Sequence, residues 1–372
     1  MKQLDKKTKE PLIHITKRKM IPKKQEWAIR LGGILAALIF CAIITTITTH
    51  LNPLAVYAKM FEGSFGSPRK MWALLKELAS LLLIAVALAP TFKMKFWNLG
   101  GGGQVMAGVL ATTAVMITMT GKLPSAAIIC LSFIAALAAG ALWAFIPAFC
   151  RAKWNTNETL FTLMMNYVAT QIVAYFIIIW ENPKGAGKIG VINQTTHIGW
   201  LPTLANNPYM LIVIVSVIVT IFMYIYLKYT KHGYELSVVG ESENTARYVG
   251  INVSKVIIRT LVLCGLICGL TGWLLVAGTD HTMTTTIEGG KGFLGVMVAW
   301  LAHFNPIGMI LSGLLMVFMA KGGSEISMAF GLNRSYGDIL TGIILFFVIG
   351  SEFFINYQIH FRKSHRKEAA DV

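Results

Sequence analysis

Residues 31–49, LGGILAALIFCAIITTITT, contain no charged side chain. About 20 such residues, wound as a helix, match the hydrocarbon thickness of a bilayer. Comparable blocks recur at 74–92, 104–120, 125–149, 159–180, 209–227, 257–278, 306–320 and 338–357, with a shorter one at 292–303. In hydrocarbon every backbone N–H and C=O needs a partner inside the protein, and a helix supplies them within one segment. The pattern predicts an all-α integral membrane protein with about ten transmembrane helices. Block 292–303 is too short to cross unaided and is expected to be a half-helix or re-entrant piece buried in protein.

Composition agrees: 55% of residues are hydrophobic and 13% charged, where soluble domains carry about 25% charge. The formal net charge is +16, from 33 Lys+Arg against 17 Asp+Glu. In a soluble chain that excess would point to nucleic acid. Here ten spans place 23 basic residues on the side of both termini and 10 on the other. Basic residues concentrate in cytoplasmic loops, so an N-in/C-in topology is expected, with the lipid bilayer and not nucleic acid as partner. The N-terminal MKQLDKKTKEPLIHITKRKMIPKK has no apolar stretch followed by a small-residue cleavage site, so it does not read as a cleavable signal peptide. The expected organisation is a basic cytoplasmic segment 1–30, a membrane domain 31–357 and a basic cytoplasmic tail 358–372. The longest connections, 50–73 and 181–208 outside and 228–256 inside, leave no room for a soluble domain.

Polar side chains within apolar blocks either line a cavity or bond neighbouring helices. Asn98 and Gln104 in WNLGGGGQ, Asn166, Tyr167 and Gln171 in LMMNYVATQ, and Asn305 before Pro306 form a candidate substrate path. Asp280, Glu288 and Glu352 also lie in or beside such blocks. Taken singly, each is more readily a helix–helix bond; taken together they favour a polar pathway. Full charges are nearly absent mid-span, which argues against a proton pump or voltage sensor and for an uncharged, hydrogen-bonding cargo. Asn166 beside Tyr167 suits a flat heterocycle, through a hydrogen bond and stacking. Gly100–Gly103 permits either a broken helix facing the path or close helix packing, and the two readings stay open. Gly265 and Gly269 form a small-xxx-small pair and point to packing.

Cys41, Cys130, Cys150, Cys264 and Cys268 sit in or at the ends of apolar blocks without metal spacing, and are expected to be packing residues. Neither a metal site nor a catalytic constellation stands out. GAGKIG at 185–190 lacks a Ser or Thr after Lys188, the phosphate-loop glycine spacing and a preceding strand. No cofactor is expected on this chain, and energy for active transport would have to come from another one.

Between the sixth and seventh blocks lies a polar stretch, VGESENTARYVGIN, at 239–252. Ser242 is placed to cap a short helix from Glu243, Glu243 and Arg247 to pair at i, i+4, and Gly250 to end it. One reading is an amphipathic helix on the lipid interface, which would want more Lys and Arg. The reading composition favours is a rigid cytoplasmic knob that docks on a partner through Tyr248 and Val249.

GESENTARYVGIN resembles the G-x-N-x-x-A-A-R-Y-x-G-I coupling segment of ABC importer permeases of the ribose and nucleoside branch. GALWAFIPAFCRAKWNTNETLFTLMMNYVA at 140–169, WNLGGGGQVMAG and GGKGFLGVMVAWLAHFNPIG are similar to three further segments of that family, in its order. The long 140–169 block points to the nucleoside-type subgroup. The resemblance covers about residues 30–356 and departs at Gly102, where the family pattern N-I-G-A-E-G-Q has Glu, at Ala148 and at Thr245. It implies that Glu241, Glu243, Asn244, Ala246, Arg247 and Gly250 belong to the helix that meets the ATPase. It also implies ABC ATPase subunits that hold ATP and Mg, a second and usually different permease subunit, an extracellular substrate-binding lipoprotein, and a multi-pass chain in a bacterial plasma membrane. Nucleosides are the expected cargo, with simple sugars such as ribose as the alternative; an ion-coupled secondary transporter is a more distant one.

Overall fold

The computed structural model describes residues 13–18 and 22–361. Its helices, in order, are α1 (Lys23–Thr49), α2 (Pro53–Phe65), α3 (Pro68–Lys93), α4 (Gly101–Met119), α5 (Ser125–Trp154), α6 (Glu158–Trp180), α7 (Met210–Tyr229), α8 (Lys231–Glu241), α9 (Glu243–Tyr248), α10 (Val253–Trp273), α11 (Lys291–Leu301), α12 (Pro306–Phe330) and α13 (Arg334–Asn356). A π-helical turn, Leu274–Asp280, extends α10. Among the described residues nine helices are long and apolar enough to cross a membrane, and α11 is a shorter apolar one. The short block at 292–303 is thus the half-helix its length requires. Two helices were not expected: α2 lies in the 50–73 connection, and α8 precedes the polar stretch.

Two compact units divide the chain, Ser64–Lys321 and the described residues on either side of it. In the flanking unit α1 packs on α13. Arg30 Nε donates to Glu352 Oε1 at 2.8 Å, and Tyr336 Oη donates to Thr45 Oγ1 at 2.6 Å. Glu352 is therefore ion-paired within this helix pair. Two strands, β1 (Ile13–Lys17) and β2 (Tyr357–Phe361), pair antiparallel with Ile13 opposite Phe361 and Lys17 opposite Tyr357. Residues 23–30 of the expected basic segment 1–30 already belong to α1, and β2 begins one residue before the expected tail 358–372. Residues 1–12, 19–21 and 362–372 lie outside the described residues.

In the central unit α3 and α10 are the core. Ser67 caps α3, its Oγ accepting from Lys70 N at 3.3 Å, and Pro68 takes the first helical position where no N–H is needed. From Leu78 to Phe92 every residue of α3 is buried. α10 packs between α4 and α5, and these contacts are made by glycine. A Cβ at Gly108 would stand 2.7 Å from Gly269 Cα, and one at Gly265 would meet the Gly140 carbonyl. Backbones this close gain dispersion contacts without any hydrophobic drive, which lipid does not supply. The packing role expected for Gly265 and Gly269 is what the structure shows.

Here "inner" denotes the end of this unit that carries α8 and α9, and "outer" the end that carries the 181–208 connection. At the outer end Trp200 stacks between His197 and His281, at centroid distances of 4.3 and 3.6 Å. At the inner end Phe92 stacks on Phe304 and Trp97 on Trp300. The chain thus goes from outer His281 to inner Phe304 through a non-helical strap, 281–290, followed by α11. Its counterpart runs the other way. From inner Lys93 the chain extends through 94–100 and then turns helical as α4 toward the outer end. α4 packs on α10 and α11 packs on α3, so two helix, strap, helix motifs pack together with opposite sense. Packing of opposite sense brings the starts of two helices together within the membrane.

Candidate functional site

Thr230 ends α7 and caps α8, its Oγ1 accepting from Gly233 N at 3.2 Å. α8 buries Leu236, Val239 and Gly240, and a side chain at 240 would collide with the Lys93 carbonyl. Glu235 pairs with Arg259 at 3.0 Å and His232 at 3.5 Å. Burial pushes its carboxyl upward, but the Arg259 hydrogen bond and charge, with His232, outweigh that and hold it below the usual carboxylate range.

Ser242, in extended conformation, breaks α8 from α9 and accepts from Thr245 N at 3.2 Å. α9 is short and fixed at both ends. Arg247 donates to Glu243 at 3.4 Å, the expected i, i+4 pair, and Gly250 follows the helix at φ +85, where only glycine is unstrained. Ala246 is 0% exposed and faces the body. Arg151, at the inner end of α5, donates to Glu243 at 3.4 Å and pairs with Glu158 at 3.6 Å, tying α9 to α5 and α6. Asn252 then caps α10, its Oδ1 accepting from Lys255 N at 3.0 Å. What projects is Asn244, Arg247, Tyr248 and Val249, with Tyr248 94% exposed. Glu241 is the last residue of α8 and is exposed; it precedes the Ser242 cap and stands outside the short helix in which the resemblance put it.

The glycine run shows the close packing that was one of the two readings. Gly100 precedes α4 after the non-helical residues 96–100, so the helix starts at the glycine run. The glycines that follow also let other chains approach. A Cβ at Gly103 would meet Asn166 Oδ1 at 2.9 Å, and one at Gly101 would touch Leu88 and Ile84 at 3.3–3.6 Å. A helix start leaves its first N–H groups without partners, and inside a membrane protein no water is at hand. Asn166 supplies them: its Oδ1 accepts from Gly103 N and its Nδ2 donates to Leu99 O, each at 2.7 Å. Asn98 Oδ1 accepts from Gly100 N at 3.0 Å, and its Nδ2 donates to Cys264 Sγ at 3.4 Å. The Cys264 thiol in turn donates to Gln104 Oε1 at 3.2 Å.

Of the six path candidates, then, Asn98, Gln104 and Asn166 are gathered in one place, where they hold the helix start. Tyr167 and Gln171 are exposed on another face of α6, in line with Tyr175. Asn305 caps α12 at the inner end, accepting from Ile307 N at 3.1 Å.

Charge inside the helices is greater than the sequence reading allowed. Lys76 Nζ lies 2.6 Å from Asp280 Oδ1 and 3.8 Å from Glu77, and Lys291 Nζ lies 2.9 Å from Glu77 Oε2. Consecutive residues of α3 thereby pin both ends of the strap. The charges cancel in pairs, which is how they are tolerated at this depth. A Lys-Glu step within an apolar block, and a lysine among glycines at the head of another, were the available signals. In the outer connection, Glu181 accepts from Gly185 N at 2.8 Å and Gly187 N at 2.9 Å, so the GAGKIG amides are spent on a carboxylate.

The chain is 27% identical over 363 residues to the glucose ABC transporter permease protein TsgB13 of Haloferax volcanii, 93% of each chain being covered. It is 27% identical to the nucleoside ABC transporter permease protein NupB of Lactococcus lactis, covering 86% of this chain and 88% of that one. To the guanosine ABC transporter permease protein NupP of Bacillus subtilis it is 26% identical, covering 89% and 95%. Among solved structures, PsaBC from Streptococcus pneumoniae in complex with Fab is 14% identical with a TM-score of 0.46, covering 79% of this chain and 95% of that one. Residues 71–349 match the model of the branched-chain amino acid transport system / permease component family, and with its membrane helices and its ABC-permease relatives the chain belongs to that family of ABC importer permeases.

Proposed function

We propose that this permease carries nucleosides into the cell, driven by separate ATPase subunits that engage α9. Both termini are cytoplasmic, a second, different permease chain completes the membrane unit, and a substrate-binding lipoprotein delivers cargo from outside. ATP and Mg reside on the ATPases, and this chain binds no cofactor of its own. The observation that carries the reading is α9: a capped, ion-paired helix tied to α5, α6 and α10 that presents a tyrosine with no packing role. NupB and NupP support the cargo through the nucleoside and guanosine in their names. The glucose permease relative favours a second reading, a simple-sugar permease of the same mechanism.

Tyr248→Ala and Arg247→Glu in cells test the drive. A buried tyrosine at an interface is commonly worth about 2 kcal/mol or more, so Tyr248→Ala should lower co-purification of the ATPase at least roughly 30-fold. Unchanged ATPase binding and uridine uptake in both variants would sink the docking role. Competition of labelled uridine uptake by adenosine, ribose and glucose separates the two cargo readings.

A further inference from the structure

We propose that Glu288 is the carboxylate that reads cargo hydroxyl groups in this permease, held at the crossing of α4 and α11 in the place a side chain of residue 102 would occupy. The inference rests on the transport reading above. A Cβ at Gly292 would stand 2.6 Å from Gly102 N, so the heads of α4 and α11 touch and residue 292 must lack a side chain. The three atoms nearest a Cβ at Gly102 are those of the Glu288 carboxyl group, at 3.4–3.6 Å. The family pattern quoted above has an acid at that position of α4. Here the acid comes from the strap that leads into α11, and position 102 is glycine.

The crossing lies at mid-depth. Gly101 sits against Ile84 and Leu88, and Gly295 against Ile84 and Ala85, near the middle of the buried stretch 78–92 of α3. At that depth irregular backbone is tolerated only inside protein or beside water. Gly289 and Gly290 are exposed there, at φ +59 and +73, so this face does not lie against lipid tails. Glu288 Oε2 accepts from Gly292 N at 3.0 Å, which fixes the side chain. Among the described residues Oε1 has no partner, whereas Asp280, at the other end of the strap, is ion-paired. Phe293 is exposed on the first turn of α11. One open carboxylate oxygen accepts hydrogen bonds from the hydroxyl groups of a neutral cargo and repels an anionic one.

The test uses the complete transporter in proteoliposomes with saturating binding protein, so that maximal rates report the permease. Uridine is compared with 2′,3′-dideoxyuridine. Glu288→Gln keeps an oxygen for Gly292 N and the shape of the side chain. It should lower the uridine rate roughly 10-fold, the factor a charge-assisted hydrogen bond carries, and leave the dideoxy rate unchanged. Glu288→Gly should lose uridine transport, and Gly102→Glu/Glu288→Gly should regain it by returning the carboxylate from α4. A Glu288→Gln variant that discriminates the two nucleosides as the wild type does overturns the proposal. So does a Glu288→Gly defect that is equal for both cargoes and not rescued, since Glu288 would then only cap α11. If the wild type moves neither nucleoside, the nucleoside reading fails instead. The same comparison with glucose and 2-deoxyglucose then decides Glu288: retained discrimination in Glu288→Gln refutes it, and lost discrimination upholds it.

Discussion

Asn166 offers the sharpest test of how this chain tolerates a helix start in a membrane. Its amide closes two bonds of 2.7 Å, to Gly103 N and Leu99 O. Gly103 N lies in the first turn of α4, where the helix itself offers no acceptor. Asn166→Ala leaves both backbone groups unpaired, and each costs about 1–3 kcal/mol when no water replaces the partner. The expected loss is therefore about 2–6 kcal/mol. Asn166→Asp keeps the acceptor for Gly103 N but has no donor for Leu99 O, so it should cost less than the alanine. Thr170 is one turn along and bonds only its own helix, to Asn166 O at 3.0 Å, so Thr170→Ala should cost no more than about 1 kcal/mol. Unfolding of the purified protein in mixed micelles, followed by tryptophan fluorescence against SDS fraction, orders the three variants. A cost for Asn166→Ala within about 0.5 kcal/mol of wild type, the range of an ordinary surface change, would refute the claim that this amide sustains the helix start.

Three further outcomes follow from the packing and the charges. Gly265→Val should abolish recovery of folded protein on size exclusion, because even a Cβ there collides with the Gly140 carbonyl and with Ala144 at 2.6 Å. Lys76→Met and Asp280→Asn should each cost about 1.5–3 kcal/mol by stranding a charged partner, while the double variant should cost less than their sum; additivity in a thermal double-mutant cycle would count against the 2.6 Å pair. The Glu235 carboxyl is held below its unfolded value, so its contribution is present above about pH 4.3 and is lost as pH falls through the folded value. The Tm advantage of wild type over Glu235→Gln should accordingly be flat near neutrality and vanish in acid; an advantage that grows on acidification would contradict the assignment.

The polar knob was readable because every signal in it is local. Ser242, the Glu243–Arg247 pair and Gly250 each act over about one turn, and spacing alone decides what they do. The amides were not readable to the same degree. Asn166 and Tyr167 are neighbours in sequence, yet successive helical residues point about 100° apart, so one clamps a backbone from 63 positions away while the other is exposed. Nothing in LMMNYVATQ distinguishes an amide for cargo from an amide for a helix start elsewhere. The charges show the same limit. Lys76 reads as the edge of a loop until Asp280 and Glu77 stand beside it, and Glu77 until Lys291 does. Fold class, the half-length of α11 and the glycine packing follow from composition along one segment; the crossing of α4 and α11 needs segments nearly 200 residues apart.

That crossing also bears on how a pull at α9 would reach cargo. α9 is joined to α10 by the four residues 249–252, and α10 with its π-turn runs without interruption to Asp280. Along the way it is packed on α4 and α5 through glycine backbones, which have no side chain to yield. A displacement of α9 is therefore not absorbed locally; packed cores switch between discrete arrangements and do not deform smoothly. At its outer end α10 becomes the strap that carries Glu288, and the strap is held to α3 by Lys76 and Glu77. If the ATPases draw on α9 as proposed, the contact between Gly292 and Gly102, where two backbones meet with nothing between them, lies on the route of the displacement. Widening it would free Glu288 from the gap beside α4 and alter its reach toward cargo. Weakening the Lys76–Asp280 hold should then raise leak of cargo without ATP, whereas loss of Tyr248 should stop transport without raising leak. These opposite signs, read in one proteoliposome assay, distinguish a strap that gates from one that only braces the fold.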